Sequence, residues 1–142
     1  MSRSGYSDDI DQWQLIRWRG AVASAMRGRR GQAFLQEMLA ALDALPEKKL
    51  IAEAIETEGA VCAIGAVGKA RGLNMAGLDP EDHETVAARF GVPHSLACEI
   101  FWENDEAYWR GSETPEQRFI RVREWVERNI RKPPALWFWV TA

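Results

Sequence analysis

Four side chains able to ligate a metal ion are spread through the sequence: Cys62, His83, His94 and Cys98. His94 and Cys98 stand four residues apart, a spacing that puts both on one face of a helix. No CxxC pair and no other compact paired spacing accompanies them, so the expectation is buried structural cysteines and surface histidines, with no metal and no cofactor. Either thiol would need a nearby base and a lowered pKa to act as a nucleophile, and neither is readable from the residues around it. Gly65-Ala66-Val67-Gly68-Lys69-Ala70 looks superficially like a phosphate loop. The first glycine of that motif would fall at Ala63, however, and Ala70 lacks the hydroxyl that would hold magnesium. With no catalytic constellation, the reading is of a non-enzymatic protein.

Binding chemistry is the alternative. Arg17, Arg19, Arg27, Arg29 and Arg30 gather near one helical hairpin with Trp13 and Trp18 interleaved. Arginines among aromatics bind phosphates or stack on bases; they equally dock on an acidic protein or solvate a helix end. Arg118, Arg121, Arg123, Arg128, Arg131 and Lys132 lie further on and read as the wet face of a last helix. Near the C-terminus, Trp137, Phe138 and Trp139 form a candidate partner anchor, since aromatics are enriched at binding hot spots; folding back over the core is the other reading.

The window Glu84 to Ile100 carries a helix-turn-helix skeleton, with Ala87 as the small residue at a crossing, Gly91 turning the chain, and Val92 and Ile100 apolar. Its flanks hold Asp79, Glu81, Asp82, Glu84, Glu99, Glu103, Asp105 and Glu106 against Arg89, so a phosphate backbone would be repelled. The expected exposed positions of the second helix, His94, Ser95 and Glu99, do not supply a bidentate reader of bases. This corner is therefore expected to be a packing device.

These groups must be positioned by a chain of 142 residues with 46% hydrophobic and 27% charged residues, which is enough to bury roughly two thirds of its unfolded surface. Net charge is -3 and the pI is near 5.5, so nucleic-acid binding would have to come from a local patch. The two cysteines follow no secretory signal, which makes a reducing cytoplasm the expected compartment. No apolar run approaches the roughly 18 residues that span a bilayer, and no membrane partner is expected.

The periodicity predicts a mostly α, single-domain helical bundle of five to six helices over residues 11–132. A loose arm precedes it (1–10), an apolar tail follows (133–142), and a short extended segment or hairpin falls near 49–57. A first helix from Asp11 to about Met26 shows the stripe Leu15, Trp18, Val22 and Met26. After a basic turn at Gly28 to Gly31, a second helix runs from Gln32 to Leu45. Ala60 to Arg71 reads as a buried helix closed by Gly72, in which Gly65 and Gly68 admit a close neighbour. Asp79-Pro80-Glu81-Asp82 reads as a helix start ending at Gly91. Pro93 opens the next helix, to about Asn104. Thr114 and Gln117 form a capping box for the last, which runs to about Arg131 with Phe119, Val122, Val126 and Ile130 inward.

The run DQWQLIRWRGAVASAMRGRRGQAFLQEMLAALDALPEKKLIAEAIETEGAVCAIGAVGKARG, followed by LDPEDHETVAARFGV and ETPEQRFIRVREWV, resembles a family of small uncharacterised proteins of tailed bacteriophages and prophages. The likeness covers roughly Gly5 to Lys132, and the tail from Pro133 departs from it. The resemblance implies an accessory protein of the host bacterial cytoplasm that binds a host or phage protein, to modulate host defence or replication. Nucleic acid, held by the N-terminal arginines, is the alternative partner.

Overall fold

Local capping chemistry sets several of the helix ends. In the computed structural model, which describes residues 12–108 and 111–132, Thr114 Oγ1 accepts the Gln117 N–H at 3.1 Å. Gln117 Oε1 accepts the Thr114 N–H at 2.9 Å. This reciprocal pair, with proline at the first position, launches α6 (Pro115–Asn129). Gly91, at φ 72, closes α4 (His83–Phe90) in the left-handed region that a Cβ disfavours, and two residues later Pro93 leads into α5 (His94–Asp105). The remaining helices are α1 (Gln12–Arg27), α2 (Arg29–Asp43) and α3 (Ala63–Arg71). A two-residue antiparallel hairpin, β1 (Glu56–Thr57) and β2 (Ala60–Val61), pairs Glu56 with Val61 and Thr57 with Ala60. The expected bundle with a short hairpin is what the chain forms. The arm, and the tail bearing Trp137, Phe138 and Trp139, lie outside the described residues.

Four boundaries differ from expectation, each for a physical reason. The basic turn at Gly28 to Gly31 shrinks to Gly28 alone, so Arg29 and Arg30 belong to the first turn of α2. Gly31 makes this tight corner feasible, because a Cβ there would stand 1.7 Å from the Ala25 carbonyl oxygen of α1. Ala60 and Val61 are strand rather than helix, since Ile51 N–H donates to the Val61 carbonyl at 3.0 Å and ties that residue to the preceding loop. Asp82, not Asp79, caps α4 by accepting the Thr85 N–H at 3.2 Å, while Asp79 Oδ1 accepts the Glu81 N–H at 2.9 Å in a turn of its own. Finally, α6 stops at Asn129 rather than about Arg131, and the Arg131 N–H beyond its end donates to Gln32 Oε1 of α2 at 2.7 Å.

The core lies where α2, α3, α5 and α6 meet. Leu35, Met38, Leu42, Ile64, Val67, Leu96, Ile100 and Val122 are sealed from solvent there, and each such side chain contributes on the order of 1.5 to 3 kcal/mol. A smaller cluster of Trp18, Val22 and Cys98 seats α1 against α5. As a result α5 is covered by α1, α3, α4 and α6. Its residues Leu96 to Phe101 are all buried, including Glu99, which is 3% exposed rather than solvent-facing as expected. Of the positions expected to face outward, His94 is exposed and Ser95 half-buried, while Glu99 is enclosed. At the corner α4 packs on α5 with Ala87 buried between them.

Candidate functional site

The C-terminal ends of α1 and α6 flank a cleft of about 580 Å³ floored by α5. Gln32, in the first turn of α2, helps hold the two ends together. Its Nε2 donates to the Met26 carbonyl at 2.7 Å and to the Asn129 carbonyl at 3.0 Å, and its Oε1 accepts the Arg131 N–H at 2.7 Å. Orphan carbonyls at helix ends need such donors. Trp18 and Trp125, both buried, line the cleft together with Arg19 and Arg27 from α1 and Arg128 and Arg131 at the end of α6. These four arginines are exposed, and none makes an ion pair with a described residue. Glu99 and Glu103 border the floor, Glu103 lying 3.7 Å from the Arg121 guanidinium. The cleft thus offers aromatic walls, a cationic rim and an acidic base.

The five N-terminal arginines do not all line this cleft. Arg19 and Arg27 line the cleft, whereas Arg17 sits two residues, or about 200° of helical turn, from Arg19. Arg29 is exposed outside the lining, and Arg30 donates to the Gly91 carbonyl at 2.8 Å, tying α2 to the corner. The last helix divides likewise. Arg118 and Arg121 both engage Glu113, whose side chain is only 5% exposed, and Arg123 holds Asp43 of α2 at 2.6 Å. These three are structural struts, while Arg128 and Arg131, expected as part of a wet face, join the cleft. Trp125 also lies off the stripe read from periodicity; its i+3 spacing from Val122 was the available signal.

A second constellation lies at the α4–α5 corner. His83, the first residue of α4, is buried rather than on the surface, and its ring stacks on Phe101 with centroids 5.1 Å apart. Its Nδ1 stands 3.1 Å from Cys98 Sγ, and His94 Nε2 approaches the same sulfur at 3.4 Å. Ligand atoms of all three residues lie within 4.8 Å of one another. His94 is exposed, Cys98 buried. Burial pushes the Cys98 thiol up to about 11, so it is neutral and a poor nucleophile at ordinary pH despite its histidine neighbours. Cys62 does not join them. It caps α3, its sulfur accepting the Gly65 N–H at 3.4 Å, and burial pushes its thiol up to about 12. Neither thiol has the lowered pKa that nucleophilic catalysis requires.

Compared with models of protein families, with curated proteins and with solved structures, the chain matches none.

Proposed function

We propose that this chain is a non-enzymatic binding protein that recognises another protein through the cleft between α1 and α6. The observation that supports the reading is the convergence of Arg19, Arg27, Arg128 and Arg131 around Trp18 and Trp125. Arginine and tryptophan are the residues that most often dominate interface energetics. A cleft of about 580 Å³ accommodates an apolar side chain with its flanking backbone, and the rim favours carboxylates beside it. Glu99 and Glu103 at the base disfavour a phosphate seated deeply and reward a ligand that places its charge at the rim only. The partner is accordingly a protein segment with acidic residues around an apolar anchor. On the phage-like reading it belongs to the host or the phage, in the host cytoplasm, and binding modulates host defence or replication.

Selection of displayed random peptides on the immobilised protein tests this. Acidic sequences with a central apolar residue should be enriched, and the charge reversals Arg27→Glu and Arg128→Glu should abolish their binding. Enrichment that survives both reversals, or none at all, overturns the reading. The nucleic-acid alternative rests on the same arginines and aromatics, and it predicts labelled single- or double-stranded DNA binding that weakens steeply as salt rises.

A further inference from the structure

We propose that His83, His94 and Cys98 form a binding site for one zinc ion, with three protein ligands and a fourth position open toward solvent on the His94 side. Tetrahedral zinc with bonds of about 2.3 Å to sulfur and about 2.0 Å to nitrogen separates its sulfur and nitrogen ligands by about 3.5 Å. The sulfur-to-nitrogen distances here are 3.1 and 3.4 Å, and all three ligand atoms lie within 4.8 Å of one another, so admitting the ion requires the exposed His94 ring to swing toward His83 until the two nitrogens stand about 3.3 Å apart. Two imidazoles and a thiolate also match the borderline-soft character of zinc.

Four further observations point the same way. The ligands come from rigid places: His83 opens α4, and His94 and Cys98 occupy the first two turns of α5 on one face. The stacking of His83 on Phe101 fixes its ring plane. His83 Nε2 is buried without a hydrogen-bond partner among the described residues. With its proton on Nε2, the ring turns the Nδ1 lone pair toward Cys98 Sγ and so toward a metal. Lastly, the carboxylates of Glu81, Glu84, Glu99 and Asp105 bear on the His83 and Cys98 pair, giving the corner a field that attracts a cation. The acidic rim that argued against DNA here favours a metal. Binding would transfer the Cys98 proton to solvent and clamp the start of α4 onto α5.

The full-length protein, stripped with chelator and kept reduced, should be titrated with zinc by calorimetry and with cobalt by absorption spectroscopy. One equivalent should bind, and cobalt should give the near-ultraviolet thiolate charge-transfer band. Cys98→Ser should lose that band and Cys62→Ser should keep it. His94→Ala, a surface change that leaves the fold intact, should weaken zinc binding even if Cys98→Ser proves unstable. Absence of zinc heat and cobalt band in the wild-type chain, or a band that persists in Cys98→Ser, overturns the site and leaves a hydrogen-bonded triad in its place.

Discussion

Gln32 Oε1 accepts the backbone N–H of Arg131 at 2.7 Å across 99 residues of sequence, while the same side chain donates to the last turns of α1 and α6. One amide thereby helps set the width of the cleft. Replacing it with leucine leaves two part-buried carbonyls without this donor and should cost about 1 to 2 kcal/mol. Gln32→Glu keeps the volume but turns lone pairs and a negative charge toward two helix C-termini, so it should cost more than leucine. Urea denaturation would rank the two. Equal stability in both variants would show that the helix ends are held by something else.

Gly31 and Gly91 should respond differently to the same substitution. At Gly91 a Cβ meets nothing within 4 Å, so Gly91→Ala pays only for the left-handed backbone, about 1 kcal/mol. At Gly31 the added carbon would stand 1.7 Å from the Ala25 carbonyl oxygen, and backbone cannot yield as a side chain can. Gly31→Ala should therefore cost several times as much, and it should loosen α1 before the core melts. Hydrogen exchange would detect this as early loss of protection in residues 12–27.

Two arginine contacts of α6 separate by burial. Asp43 and Arg123 are 49% and 34% exposed, so despite their short two-pronged contact a double-mutant cycle should give less than about 1 kcal/mol. The Arg123 guanidinium holds the Asp43 carboxyl below its ordinary value of 3.8, as Arg71 holds Glu37 below 4.5. A carboxylate more acidic in the folded chain stabilises it above those ordinary values, and this contribution disappears as pH falls through the folded ones. The coupling should thus be full at neutral pH and vanish in strong acid. Glu113 is nearly enclosed between Arg118 and Arg121, so Glu113→Ala takes the shared carboxylate from two half-buried guanidiniums. Among the described residues these keep only the carbonyls of Leu50, Glu103 and Asn104 and the more distant Glu103 carboxylate, so the change should cost about 2 to 3 kcal/mol. Comparable losses for Asp43→Ala and Glu113→Ala would contradict this ordering.

What could be read from the residues follows the range of the interaction. The Thr114–Gln117 box, the turn at Gly91 and the stripe through Phe119, Val122 and Val126 are local, and they appear in the structure where the spacing put them. The His94–Cys98 proximity was legible from its i,i+4 spacing. His83 was not, because its approach depends on the corner turned between α4 and α5 and on Asp82 replacing Asp79 as the cap. Asn104 was equally silent: its Oδ1 accepts the Ala63 N–H at 3.0 Å and its Nδ2 donates to the Ile51 carbonyl at 2.8 Å, contacts that only the folded chain creates. The cleft is the extreme case. Arg19 and Arg128 are ordinary exposed arginines in their own helices, and they share a site only because α1 and α6 both pack on α5.

That shared origin gives the cleft a specific signature. Arg27→Glu and Arg128→Glu alter exposed side chains that make no ion pair with a described residue, so each should leave thermal stability within about 0.5 kcal/mol of the parent. Trp18→Ala instead removes a buried side chain of the α1–α5 contact and should cost about 3 kcal/mol or more. Binding of an acidic peptide should change tryptophan fluorescence through Trp18 and Trp125, with the charge reversals abolishing the change while the folded spectrum persists. If both reversals bind normally, the cationic rim is not the recognition element. If Trp18→Ala alone abolishes binding, its stability loss must first be offset, for example by measuring at low temperature, before the loss is assigned to the cleft wall.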